Sequence, residues 1–471
     1  MKSKPLTNAE QALCKTLRTM GPAVGTALAV TILGFIALFL SPVPMVIDFG
    51  KMLAIGVGIS FLASIFLLLP ILFIRDRFFP IKTHQERSAK GPDLLQRIIE
   101  GNTRIVLRLG SVIILIAFII TGMGLWADEK VGVQTDVEKF MPQNTPELQD
   151  VHILRDVLGS TDQVILLLHG DNLISPAALQ WIDQMTEGTR QKFPQVVTDT
   201  QSVSSIMRLA HDGKIYAGEQ EAQDFVSSLP TAQQKLFIHA DYKQAVIQLN
   251  IKHLELSELN RFLTDLQGYV SQPPEGISVS VTGKSVVDVA MISALTSGRQ
   301  EMTLAGMGLV FLGLLVIYRH PVKALIPLVP IALIIGWSGG TMYLLNMAYT
   351  PLTATMGALI IGIGTEFTVL LMERYFEERR LGHKEKESML VAAHQIGKAV
   401  LASALTVIGG FSALIASNFV ILRDFGFMTV LSMIFCLIST LVILPPFIVL
   451  LDRLFKLNKK YELPANHLNT A

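Results

Sequence analysis

The chain has 471 residues, 51% of them hydrophobic and only 16% charged, with a net charge of +1. A soluble globular protein carries nearer a quarter charged residues, so the composition excludes one and predicts a polytopic α-helical membrane protein. Two cysteines, Cys14 in a basic segment and Cys436 in an apolar one, imply no disulfide framework.

The N-terminal stretch Met1–Glu10 is too polar for a signal peptide. Runs apolar enough to cross about 30 Å of hydrocarbon are predicted at 22–41, 50–74, 104–126, 302–318, 322–346, 349–372, 398–420 and 426–451. The fourth run is short, and only Arg319-His320-Pro321-Val322-Lys323 parts it from the fifth. Residues 1–79 therefore hold a cytoplasmic helix and two spans, 80–103 a basic linker, and 104–126 a third span. A hydrophilic domain at 127–300, a five-span bundle at 301–455 and a tail at 456–471 follow.

Charges in the short loops set the orientation. Arg75, Arg77, Lys82, Arg87, Lys90, Arg97 and Arg104 fall on one side, with Arg374, Arg379, Arg380, Lys384 and Lys386. The N-terminal Lys2, Lys4, Lys15 and Arg18 and the C-terminal Arg453, Lys456, Lys459 and Lys460 share that side. The opposite loops hold only Asp48, Arg423 and Asp424. Both termini are expected in the cytoplasm, and the chain in a cell (inner, cytoplasmic) membrane.

Residues 127–300 carry 22 Asp or Glu against 13 Lys or Arg, a balance of −9. Strands are predicted at Gln163–His169, Ala245–Ile251 and Ile277–Thr282, and helices at Pro176–Phe193 and Ser257–Val270. That order predicts a small extracytoplasmic α+β domain with one sheet, and residues 205–238 read as a helical insertion. Trp126, at the outer end of its span, reads as an interfacial anchor.

The first two spans repeat the last two. Aligned at an offset of 376, Gly21–Phe79 and Gly397–Phe455 share 18 identities in 59 positions, including Gly34-Phe35/Gly410-Phe411, Asp48-Phe49-Gly50/Asp424-Phe425-Gly426 and Asp76-Arg77/Asp452-Arg453. Two apolar hairpins alike by chance would share Leu and Val, not these landmarks. A complete repeat needs two equivalent halves, so Met1 reads as an internal position of a longer protein. Asp48 and Asp424 are expected to cap the helices that follow them.

Glu366 lies within the apolar run Leu352–Met372. An ionisable residue at such a depth costs a few kcal/mol and is a functional candidate by default. Gly357, Gly362 and Gly364, just before it, are expected to admit a close neighbouring helix. The bland alternative for Glu366 is a fixed hydrogen bond or ion pair. Arg374, Glu377, Glu378 and Arg379 read as a solvated helix end.

Other chemistries find little support. Val281-Thr-Gly-Lys-Ser285 lacks the upstream glycine of a phosphate loop, whose position is Ser278. His152, His169, His211, His239 and His253 have no ligand spacing, so no metal or other cofactor is expected. No nucleophile elbow points to an enzyme, and nothing points to nucleic acid.

The motif Gly362-Ile-Gly-Thr-Glu-Phe-Thr-Val-Leu-Leu-Met-Glu-Arg-Tyr-Phe-Glu-Glu-Arg379 resembles the resistance-nodulation-division (RND) superfamily, nearest its MmpL and hopanoid-type exporters of lipids and hydrophobes. The resemblance extends to the Gly410-Phe411 helix, the Asp424-Phe425-Gly426 loop and the closing Asp452-Arg453, and Thr135–Leu148 is similar to the start of that family's porter domain. It implies twelve spans in two six-span halves and secondary transport driven by protons. It also implies an Asp-Tyr pair that matches Glu366 and Phe367 here, Phe lacking the hydroxyl of Tyr. Desolvation disfavours the charged form of a carboxyl group, so such a group can load a proton on one side and release it on the other. Thr365, Thr368, Ser403 and Thr406 are candidate hydrogen-bond partners or water-wire members. The expected partners are a membrane lipid or hydrophobic small molecule, protons, and either the missing N-terminal half or a second copy. A non-transporting module that binds a lipid or a partner protein, or an inactive remnant of a longer transporter, is the alternative.

Overall fold

A polar start, two long apolar stretches and a basic break produce the first five helices: α1 (Asn8–Ile36), α2 (Pro44–Ala63), α3 (Leu69–Phe78), α4 (Leu94–Arg108) and α5 (Gly110–Asp128). The computed structural model describes residues 8–41, 43–78, 94–134, 137–160, 162–216, 218–270 and 273–457. Of the residues used for orientation or resemblance, Lys2, Lys4, Lys82, Arg87, Lys90, Thr135, Asp136, Lys459 and Lys460 lie outside these. Two units emerge, one of Gln134–Ser293 and one of Met1–Val133 with Ala294–Ala471.

The smaller unit opens with α6 (Pro146–Leu158), followed by β1 (Asp162–Gly170), α7 (Pro176–Lys192), β2 (Val197–Gln201), α8 (Val203–Ala210), α9 (Glu219–Ser228), α10 (Thr231–Phe237), β3 (Gln244–Ile251), α11 (Leu256–Tyr269) and β4 (Ile277–Thr282). The four strands form one antiparallel sheet in the order β2-β3-β1-β4. Alternation along β1 buries Val164, Leu166 and Leu168 completely. Leu179 and Ile182 of α7 and Leu263 and Leu266 of α11 belong to the same core. Each such side chain contributes about 1.5–3 kcal/mol relative to exposure. The stretch 205–238 holds three short helices, and β2 lies where no strand was predicted.

The chain continues through α12 (Lys284–Tyr318), α13 (Pro321–Leu325), α14 (Leu328–Leu344), α15 (Met356–Arg380), α16 (Glu385–Ile415), α17 (Val420–Ile438) and α18 (Leu444–Phe455). Eight segments among the described residues are long and apolar enough to cross a membrane: Gly21–Leu40, Pro44–Arg75, Gly110–Asp128, Lys284–Tyr318, Pro321–Leu344, Thr353–Arg380, Glu385–Ile415 and Val420–Phe455. The predicted short run at 302–318 is part of α12, which at 35 residues is long enough to cross. Two spans contain a π-helical turn, Ser64–Leu68 between α2 and α3 and Ser439–Ile443 between α17 and α18. Met52, Ile55, Ile59 and Phe66 of the second span are exposed, the apolar surface that a lipid-facing helix presents.

The internal repeat is visible in packing. A Cβ at Gly50 would come within 2.7 Å of Leu38 Cβ, and one at its repeat mate Gly426 within 2.6 Å of Leu414 Cβ. Leu38 and Leu414 are themselves repeat mates, so both Asp-Phe-Gly segments spend their glycine on the same hairpin contact. Asp48 and Asp424 do not cap. Pro44 starts α2 and Val420 starts α17 ahead of them, with Val43 and Phe419 at the caps, so both carboxylates sit past the first turns, as the fifth residues of their helices. Asp48 pairs with Lys51 at 2.9 Å instead.

Gly34 of α1 lies against α15, where its Cβ would meet the Gly362 Cα at 3.0 Å. Its repeat mate Gly410 has nothing within 4 Å. Gly34→Leu should therefore lower stability by about 1–3 kcal/mol, since backbone cannot yield as a side chain can. Thermal unfolding in detergent, with Gly410→Leu expected to melt like the parent, checks this.

Candidate functional site

α15 is buried along most of its length by α1, α14, α16 and α17. Its half-buried positions Ile363, Glu366, Leu370 and Glu373 recur at helical spacing and form one stripe. Glu366 stands in that stripe, eleven residues into a 25-residue helix. Among the described residues its carboxylate makes no hydrogen bond or ion pair.

The neighbours named from sequence separate into two groups. Thr365, Phe367 and Thr368 are buried beside Glu366 on α15. The Thr365 hydroxyl donates back to the carbonyls of Ile361 at 2.8 Å and Gly362 at 2.9 Å, and that of Thr368 to Thr365 at 3.0 Å. Thr31 of α1 donates across to the Gly362 carbonyl at 2.9 Å. Gly362 faces the Phe35 ring, Gly357 faces Thr303, and a Cβ at Gly364 would sit 3.6 Å from Cys436 Sγ and Ile331 Cγ1. Ser403 and Thr406 lie on an exposed face of α16 instead. Thr406 donates to the Ala402 carbonyl at 2.9 Å, and neither hydroxyl is brought into a hydrogen bond with Glu366.

Two charged clusters brace the bundle. Where α5 ends and α15 begins, Arg299 donates to Asp128 at 2.7 Å and to the Tyr349 hydroxyl at 3.0 Å, and that hydroxyl donates to Asp128. Sequence reasoning missed this cluster. The signal was available only as isolated charges near span ends. Where α15 ends, Asp452 of α18 accepts from Tyr375 at 2.6 Å and from Arg379 at 2.8 Å. Arg374 pairs with Glu377 and Glu378. With Asp452 at 2% exposure and Glu378 at 3%, this is a buried network, not the solvated helix end expected. Asp452 thus ties α18 to the buried side of the last turns of α15.

A groove of about 780 Å³ opens among Trp126, Trp337, Tyr343, Leu344, Phe435 and Ile438, within the range of small-molecule sites. Its walls are apolar. The Trp337 Nε1 is buried without a partner among the described residues. Lys130 Nζ lies 3.5 Å over the Trp126 ring at the rim.

Eight apolar spans, an α+β domain placed after the third and a duplicated hairpin define a multi-pass membrane protein built on an internal repeat. The chain belongs to the MMPL family, whose model matches residues 3–91 and 176–464. It is 26% identical over 352 residues to MJ1562 of Methanocaldococcus jannaschii, covering 72% of this chain and 90% of that one. It is 34% identical over 155 residues to the acyltrehalose exporter MmpL10 of Mycobacterium tuberculosis, covering 31% of this chain and 15% of the exporter. The fold is similar to the crystal structure of SecDF in its super-membrane-facing form, with a TM-score of 0.52, 14% identity, and coverage of 97% of this chain and 52% of that one.

Proposed function

We propose that this protein is a proton-driven transporter subunit that exports a hydrophobic or lipid-like molecule, with Glu366 as the coupling group. The carrying observation is Glu366 itself, a carboxylate at mid-span that no ion pair or hydrogen bond among the described residues holds. A carboxylate serving structure alone would have a fixed partner, because burying it unpaired is costly. An unpartnered one is free to change protonation, and its neutralisation alters the forces between packed helices. The family membership and the likeness to an acyltrehalose exporter support export of a lipid-like molecule, and the apolar groove supports a hydrophobic ligand. The basic loops support cytoplasmic termini and, with them, an α+β domain on the outer side.

The test is reconstitution into vesicles loaded with a fluorescent lipid or hydrophobic dye. An imposed proton gradient should drive movement of the probe, and a protonophore should stop it. Movement indifferent to the gradient would refute proton drive. No movement, together with saturable binding of the probe, would favour a lipid-binding module.

A further inference from the structure

Helix α4 carries four charged residues, Arg97, Glu100, Arg104 and Arg108, and they do not share a face. The three arginines, seven and four residues apart, fall on one line along the helix, about 16 Å from first to last. All three are exposed, and none has a hydrogen bond or ion pair among the described residues. Directly beside them Ile98, Ile105 and Leu109 form a second line, each more than half exposed. The opposite face is packed. Ile99, Thr103 and Val106 are buried where α4 meets α16, α18 and the π-helical turn Ser439–Ile443. A Cβ at Gly397 of α16 would come within 3.1 Å of Ile99, and one at Gly110 within 2.6 Å of Pro446, so the corner between α4 and α5 is held on α18.

Two side-chain contacts orient α4 about its axis. Glu100 accepts from His394 of α16, which precedes Lys398, the last charge before that helix's apolar run, so Glu100 marks the aqueous side. Asn102 donates at 3.2 Å to the Leu441 carbonyl, inside the last span, so Asn102 marks the membrane side. Around the helix from Asn102, away from the bundle, come first Ile98, Ile105 and Leu109, then the arginines, and last Glu100. An apolar line on the hydrocarbon side with a cationic line next to it is the arrangement of a helix seated in a membrane interface. A basic face that met only water would have no use for the isoleucines.

We propose that Arg97, Arg104 and Arg108 bind the headgroup phosphates of anionic lipids, whose acyl chains lie against Ile98, Ile105 and Leu109. Each guanidinium offers paired N–H donors that match two phosphate oxygens, and no carboxylate on that line competes for them. Helix α4 runs into α5 through the single residue Leu109, so a lipid held there fixes the base of the third span.

The test uses the full chain in a neutral detergent, titrated with short-chain phosphatidylglycerol, phosphatidylcholine or inorganic phosphate, with the thermal unfolding midpoint as readout. Phosphatidylglycerol should raise the midpoint saturably, and less so at high salt, whereas the other two should not. Arg97→Gln combined with Arg104→Gln and Arg108→Gln should weaken the apparent affinity about fivefold for each arginine, on the order of a hundredfold in all. Because the three side chains are exposed, that variant should melt like the parent without lipid. Arg97→Lys with Arg104→Lys and Arg108→Lys keeps the charge and should bind nearly as the parent does. Equal shifts from phosphatidylcholine or from phosphate alone overturn the site, as does an unaltered affinity in the glutamine variant. A lysine variant as weak as the glutamine one overturns it too, since charge would then not be what the arginines supply.

Discussion

Glu366→Gln is expected to bring gradient-driven movement of the hydrophobic probe down to the level of protein-free vesicles, a loss of roughly tenfold or more. Glutamine keeps the length and shape of the side chain and removes only its ability to take up a proton. Because the Glu366 carboxylate has no hydrogen-bond or ion-pair partner among the described residues, no contact is broken by the change. The variant should therefore melt no lower than the parent, and the loss of a half-buried charge favours the fold. Glu366→Asp keeps the chemistry on a shorter arm and should retain part of the rate. Wild-type transport should accelerate as the outer side is acidified, whereas the Gln variant should be flat across the same range. Full activity in the Gln variant with an unaltered pH profile would exclude Glu366 as the coupling group.

The second large effect lies at the C-terminal end of α15. Arg379→Met would leave the Asp452 carboxylate buried without its guanidinium, a change that typically costs about 3–5 kcal/mol. Tyr375 would still donate to it, but a hydroxyl does not neutralise a charge. Thermal unfolding in detergent should show the loss, with transport activity falling in parallel with the folded fraction. Combining Arg379→Met with Asp452→Leu should recover most of the stability, because an apolar pair replaces a stranded charge. A double variant no more stable than the single one would mean that Asp452 is not what makes Arg379 necessary.

Much of this architecture is written in residue type alone. Asp48-Phe49-Gly50 and Asp424-Phe425-Gly426 revealed the repeat because glycine was needed at the same hairpin contact twice. The spans were legible from apolar length, β1 from its short apolar run, and β3 and β4 from alternation. β2 was not, because Val197-Thr-Asp-Thr-Gln201 has little alternation and its pairing shifts register between Val197 and Asp199. The capping role given to Asp48 and Asp424 failed because Pro44 and Val420 start the helices earlier, so helix starts were read from the carboxylates and not from the residues before them. Glu366 announced itself as a charge in an apolar run. The Asp128–Arg299–Tyr349 cluster could not, since Asp128 and Arg299 are 171 positions apart and only the folded bundle brings them together. Ser403 and Thr406 show the converse error. They share polarity with the residues around Glu366, yet the turn of α16 points them to its exposed side.

The two π-helical turns carry a historical message. They fall at Ser64–Leu68 and Ser439–Ile443, within one residue of equivalence in the repeat. A π turn arises when one extra residue is accommodated inside an α-helix, which weakens the local hydrogen bonding and re-aims everything downstream. Two independent insertions at the same place in two hairpins would be a coincidence. One insertion, copied when the ancestral segment duplicated, needs none. The extra residue thus predates the doubling, and both descendants have kept it while most of the sequence around it diverged.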